Sequence, residues 1–194
     1  MKPLCFMGNI GCGKSTWANQ LSSHGYLVAS ENLNTIKYLD NYWKYGTHAF
    51  HTQVEFYATW LDLYHQANKK NRHGVIDSSI ISHHMVFSTY MNNHKIISED
   101  EFFVCEQLYS AISSVIDCKT VYLYCNIEEL YRRAMVRNRP LEQHQMKFLI
   151  ELDQMFEKIT NNLNIPRIDI SDMSPNDPKD YIKFINILKD LKLT

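Results

Sequence analysis

Short apolar runs alternate along the chain with longer stretches in which apolar residues recur every three or four positions. The runs are "LCFM" at 4–7, "YLVA" at 26–29, "GVID" at 74–77, "TVYLYC" at 120–125 and "RIDI" at 167–170. Runs of four to six residues separated by helical periodicity predict βα units, hence a parallel sheet covered by helices. Three helix starts carry capping signals: Ser98 with Glu101, Asn126 with Glu129, and Asp177 followed by Pro178. The segment "SPNDP" at 174–178 predicts a loop. No internal repeat or shift in composition divides the chain, so residues 1–194 are expected to form one domain.

Composition narrows the function classes. The 20 Lys plus Arg nearly balance 21 Asp plus Glu, giving a net charge of -1. No global basic field therefore points to nucleic acid or an anionic membrane, and any anion site must be local. The opening "MKPLCFMGN" leaves no room for a signal peptide, and no apolar run approaches the roughly 18 residues that span a bilayer. A soluble, cytoplasmic protein with no membrane or nucleic-acid partner is expected. The five cysteines form no CxxC pair, which argues against a disulfide framework or zinc knuckle and for reduced thiols.

The first apolar run leads into "GNIGCGKST", comprising Gly8, Asn9, Ile10, Gly11, Cys12, Gly13, Lys14, Ser15 and Thr16. Gly8, four residues, then Gly13-Lys14-Ser15 is the phosphate-loop pattern. Its backbone N–H groups and the following helix N-terminus bind the phosphates of a nucleoside triphosphate such as ATP. Lys14 would reach the β- and γ-phosphates, and the Ser15 hydroxyl would ligate Mg²⁺. Strand before and helix after, in "LCFM" and "STWANQLSSHG", supply the context the pattern requires.

Other positions suit phosphoryl transfer to a hydroxyl. Glu31, just past the second run, is a carboxylate at a strand end, where it could take the acceptor's proton; a solvated loop glutamate is the alternative. Gln53, Tyr57 and Trp60 fall at i, i+4 and i+7 of the helical pattern "HAFHTQVEFYATWLDLYHQA" and share one face. An amide can pair with the Watson–Crick edge of a base while aromatic rings contact its face, although core packing accounts for the aromatics equally well. Arg133, Arg137 and Arg139 cluster at the end of the helix that Asn126 begins. They could clamp phosphates as a closing lid over about 133–145, or form an ordinary solvated face.

With these landmarks in order, the sequence resembles the deoxynucleoside kinase family over nearly its whole length. Five segments carry the resemblance: "GNIGCGKST"; Glu31; "FHTQ" ending in Gln53; "IDSS" around Asp77; and "RAMVRNRPLE" from Arg133 to Glu142. The resemblance implies a five-stranded parallel sheet wrapped by helices, an α/β three-layer fold of the phosphate-loop NTPase type with an Arg-rich lid. It implies transfer of the γ-phosphate of a nucleoside triphosphate to the 5′-hydroxyl of a deoxynucleoside, with Mg²⁺. It assigns Glu31 as base, Asp77 to catalysis and metal together with Ser15, and Arg133 and Arg137 to catalysis. Arg137 and Arg139 would touch the donor. Glu31, Tyr42, Gln53, Trp60, His83, Phe87 and Glu142 would form the acceptor site, with Tyr42 and Glu142 on the 3′-hydroxyl and Phe87 stacking on the base.

Three departures stand out. The family's arginine after the third strand is replaced by Ser78, which removes a cation from hydroxyl and phosphate. Trp60 and His83 replace a charged pair that reads the base, so base preference does not carry over. A nucleoside monophosphate kinase of the thymidylate type, and a nucleotide-binding module with little catalysis, remain as alternatives. Family members are often dimers, and the apolar stripe in "EDEFFVCEQLYSAISSVI" serves a homodimer or the core equally well.

Overall fold

The computed structural model describes residues 2–69, 72–137 and 146–193. All five apolar runs become strands: β1 (Leu4–Met7), β2 (Leu27–Ala29), β3 (Gly74–Ile76), β4 (Lys119–Tyr124) and β5 (Arg167–Asp169). They form one sheet in the order β2-β3-β1-β4-β5, with every pairing parallel. Strands β1 and β3 are buried at every position, which is why they read as continuous apolar runs without alternation.

Helices cover both faces, making three layers. They are α1 (Lys14–Ser22), α2 (Leu39–Tyr45), α3 (Ala49–Ala67), α4 (Thr89–Asn93), α5 (Glu99–Val115), α6 (Ile127–Arg137), α7 (Met146–Asn162) and α8 (Pro178–Asp190). The three capping signals form as the sequence predicts. Ser98 and Glu101 close a reciprocal capping box, Asn126 Oδ1 accepts from Glu129 N at 2.8 Å, and Asp177 Oδ1 accepts from Lys179 N at 2.8 Å. One cluster of the core lies where α1 and α8 meet the sheet, with Trp17 stacked on Phe184 at 4.2 Å. Another packs α3 and α5 against the sheet through Tyr57, Trp60, Tyr64, Cys105 and Ile112. Among the described residues no helix is long and apolar enough to cross a membrane.

Two features place the site. The chain leaves β1 for β2 on one side and β3 for β4 on the other, so the carboxyl ends of β1 and β3 border the crevice where this class of sheet binds ligands. Residues Ser82–Ser88, ahead of α4, are wound as a π-helix, a widened turn without a signature in "SHHMVFS". There His83 turns to the crevice, whereas His84 turns to α5 and stacks on Tyr109 at 4.4 Å.

Candidate active site

The phosphate loop is built for close approach. A Cβ at Gly8 would sit 2.5 Å from Leu123 O and 2.6 Å from Cys12 Sγ, so only glycine lets the loop lie against β4. Gly13 takes φ 102°, a left-handed conformation directly before α1. Cys12 is fully buried and packs under the loop. Asn9 ties the loop to α7, donating from Nδ2 to Leu149 O at 2.9 Å, while its Oδ1 accepts from Ile10 N at 2.8 Å. Lys14 Nζ donates to Gly8 O at 2.9 Å and to Asn9 O at 3.0 Å, which holds its charge over the hollow that the loop surrounds.

A cavity of about 200 Å³ runs from the loop into the body of the protein. Gly8, Lys14 and Ser15 form its phosphate wall, with Asp77 beside Ser15 and Glu31 beside Asp77, and Ser78, Tyr42, Gln53, His83 and Phe87 complete the lining. Asp77 is buried, and burial pushes its carboxyl up from the ordinary range, opposed by hydrogen bonds from Glu31 N–H and the Ser15 hydroxyl. The Glu31 N–H to Asp77 Oδ1 bond, at 2.8 Å, fixes one acid relative to the other. Ser15 and Asp77 are hard oxygen donors side by side, the donor chemistry that Mg²⁺ takes.

Gln53 is 2% exposed, and its Oε1 accepts from Ser88 Oγ at 3.2 Å. Ser88 is also 2.9 Å from the Tyr57 hydroxyl, which lies 3.0 Å from His84 Nδ1. A buried polar chain therefore supports the amide. Burial holds His84 neutral, its imidazole pushed down to about 4, and raises the Tyr42 phenol to about 12.

The shared helical face of Gln53, Tyr57 and Trp60 divides. Trp60 is fully buried, stacks on Tyr64 at 5.9 Å and does not border the cavity. This corrects its expected place in the acceptor site. The cavity touches only the opening turns of α3, through Thr52, Gln53 and Phe56, and beyond them the same face meets α5. His83 reaches the cavity, but its Nε2 lies 3.1 Å from Glu31 Oε1, so that nitrogen faces the carboxylate.

A second, larger cleft of about 550 Å³ opens on the other side of the loop, bordered by Gly13, Lys14, Thr16, Arg133 and residues 173–176. Arg133 donates from Nε to Glu129 Oε1 at 2.7 Å and from Nη1 to Cys12 O at 3.2 Å, which points its guanidinium at the phosphate end. Arg132 and Arg133 hold the Glu129 carboxyl down to about 2. Glu129 was read from sequence only as a cap partner; its spacing of four from Arg133 is the signal that could have shown it as an anchor. Ser174 to Asn176, in the segment the sequence predicts only as a loop, and Met173 before them follow the carboxyl end of β5 and form a wall of this cleft. The Arg137 side chain, Arg139 and Glu142 lie outside the described residues.

Comparison with known proteins decides the family. A deoxynucleoside kinase family model matches residues 4–191, almost the entire chain. The chain belongs to the deoxynucleoside kinase family. It is 26% identical over 196 residues to a probable deoxycytidine kinase of fowlpox virus, across 93% of this chain and 81% of that protein. Among solved structures it superimposes on deoxyadenosine kinase from M. mycoides with products dCMP and dCDP bound. That match has a TM-score of 0.79 at 17% identity and covers 97% of this chain and 99% of the other. The same enzyme with bound dATP gives 0.78 at 16% identity, covering 96% and 99%. These likenesses share the five-stranded, helix-flanked phosphate-loop fold; the family match makes the protein a deoxynucleoside kinase that uses a nucleotide phosphate donor.

Proposed function

We propose that this deoxynucleoside kinase binds its triphosphate donor across the phosphate loop in the 550 Å³ cleft and its acceptor nucleoside in the 200 Å³ cavity. The observation that carries this reading is the single cavity lined at one end by Lys14 and Ser15, in the middle by Glu31 and Asp77, and at the far end by Gln53 and Phe87. Glu31 takes the proton of the 5′-hydroxyl as its oxygen attacks the γ-phosphorus; the bond to the bridging β,γ-oxygen breaks, and the diphosphate leaves with that electron pair. Lys14 and Arg133 meet the charge that develops on the phosphates. Ser15 and Asp77 would hold Mg²⁺, which when bound neutralises phosphate charge.

At the far end, Gln53 pairs with the polar edge of the base, Phe87 stacks on its face, and Tyr42 reaches the sugar. The cavity accepts more than one base, in keeping with the deoxycytidine and deoxyadenosine nucleotides bound to the M. mycoides enzyme, with pyrimidines ahead on size. Arg137, Arg139 and Glu142 are assigned to the lid. Phe103, Val104 and Val115, exposed on α5, support a homodimer through that helix, and the near-neutral charge supports a cytoplasmic enzyme without a nucleic-acid partner.

The test is ADP release from ATP over a panel of the four deoxynucleosides and their monophosphates. The expected result is turnover with nucleosides, abolished in Lys14→Ala with the fold intact. Turnover with monophosphates alone would show a monophosphate kinase, and unchanged turnover in Lys14→Ala would remove the loop from the reaction.

A further inference from the structure

Four buried side-chain atoms on the acceptor cavity have no hydrogen-bond partner among the described residues: Glu31 Oε1, His83 Nε2, Ser78 Oγ and Ser82 Oγ. Buried polar atoms are rarely left so, and four on one cavity wall mark where contacts are completed only when the cavity is filled. Two of them face each other. His83 Nε2 and Glu31 Oε1 lie 3.1 Å apart, within ion-pair range but off the line of a hydrogen bond. Their side chains are only 7% and 17% exposed, so neither is offset by bulk water.

Each partner is held from behind. The His83 ring lies flat against Phe56, with centroids 5.1 Å apart and planes 19° apart, and the π-helical turn that carries it is pinned where Ser88 Oγ donates to His83 O at 3.0 Å. Glu31 is held through its own N–H by Asp77. Two preset elements, 52 positions apart in the chain, therefore aim a nitrogen at one carboxylate oxygen. The residue beside Asp77 is Ser78, whose neutral hydroxyl brings no cation to that carboxylate.

We propose that His83 is the positioning residue for Glu31: its Nε2–H donates to Oε1, which leaves Oε2 turned to the 5′-hydroxyl. The inference rests on the reading of Glu31 as the base. Catalytic hydrogen bonds are often misaligned in an unliganded site and straighten when substrate closes it. Both the imidazolium and the Nε2–H tautomer carry the required proton. In a transition state with little bonding to the nucleophile, the direction of the carboxylate matters more than its basicity, so the dominant effect is on kcat.

The experiment compares His83→Phe, His83→Gln, Glu31→Gln and the double variant Glu31→Gln/His83→Phe. Steady-state kcat and KM for deoxycytidine are measured alongside melting temperature. Phenylalanine keeps the stack on Phe56 and removes the donor; glutamine supplies an N–H at similar reach. His83→Phe is expected to lower kcat roughly 10- to 100-fold with KM changed less than about threefold, the scale of one lost hydrogen bond to a charged group. His83→Gln is expected to recover most of that loss. In the Glu31→Gln background, His83→Phe should cost little more, because its effect runs through Glu31.

A His83→Phe enzyme with wild-type kcat but altered KM or base selectivity overturns the proposal and makes His83 a base contact. Equal loss in the Phe and Gln variants, with lowered melting temperature, overturns it in favour of a packing role. A Glu31→Gln enzyme with wild-type kcat refutes the base itself, a result distinguishable from the other two.

Discussion

Replacing Gln53 with leucine tests how the acceptor is recognised, and the structure sets the size of the effect. Gln53 is buried, and among the described residues its one side-chain hydrogen bond is to Ser88 Oγ. Ser88 keeps His83 O at 3.0 Å and the Tyr57 hydroxyl at 2.9 Å, so leucine, of similar volume, strands nothing in the protein. Folding stability should change by less than about 1 kcal/mol, as in volume-conserving substitutions. The loss falls on the ligand. A base whose donor and acceptor both faced the amide would meet an apolar methyl pair, at about 1–3 kcal/mol for each group left unsatisfied. Two such groups put the total at about 2–6 kcal/mol, a fall in kcat/KM for the nucleoside of roughly 30- to 10⁴-fold. The donor's KM should stay within about twofold, since Arg133 and residues 173–176 border a different cleft. The assay is ADP release with each deoxynucleoside varied at saturating ATP, then with ATP varied. If kcat/KM is unchanged for all four nucleosides, the base does not meet Gln53 and the acceptor lies elsewhere. If donor KM rises in step with the nucleoside's, the two-cleft division fails.

Acid stability should carry the signature of His84. Burial keeps its folded imidazole neutral down to about 4, against an ordinary value near 6.5 in the unfolded chain, so the unfolded state binds the proton first on acidification. The contribution is complete above about pH 6.5 and is lost as pH falls toward 4, up to about 3 kcal/mol; urea midpoints should show that slope, and His84→Gln should flatten it. An equal slope in wild type and variant would place the titrating group elsewhere. Gly8→Ala should cost about 1–3 kcal/mol through the 2.5 Å approach to Leu123 O, a fall in melting temperature of roughly 2–12 °C accompanied by loss of ATP binding. Normal ATP binding in that variant would show that the loop need not lie against β4.

What the sequence revealed, and what it hid, divides by range. The strands, the caps at Ser98, Asn126 and Asp177, and the phosphate loop are written in residues within one element or its flanks, and each formed where the pattern placed it. The candidate site is legible to the extent that it hangs from strand ends: Glu31 follows β2, Asp77 follows β3, and both border the cavity. Helical spacing alone could not show where the cavity stops along α3. Trp60 shares a face with Gln53, yet α5 covers that face two turns on, and no residue of α3 encodes the position of α5. The π-helical winding at Ser82–Ser88 has no local signature, and it decides that His83 and His84 serve different sides. The contact of His83 with Glu31 joins two segments that sequence spacing gives no reason to pair.

Strand order explains why a serine can stand beside Asp77 without dissolving the site. In the order β2-β3-β1 the three carboxyl ends lie in sequence along one edge, so Glu31, Asp77 and the phosphate loop are set about one strand spacing apart, roughly 4.8 Å each. That spacing sets the base, the buried acid and the phosphate loop side by side along one cavity. It is fixed by backbone pairing, Leu4 opposite Val75 and Leu27 opposite Gly74, and owes nothing to the side chain at position 78. Ser78 therefore removes a charge from a frame that persists. The consequence is specific: among the described residues, positive charge near the transferring phosphate comes from Lys14 and Arg133, which reach in from the donor side. Restoring an arginine at position 78 would place its guanidinium beside two acids already linked by the 2.8 Å bond from the Glu31 backbone N–H to Asp77 Oδ1. There it would compete with His83 for the same carboxylate oxygen, so histidine at 83 and a short residue at 78 form one solution to orienting the base, and a change at either position is felt at the other.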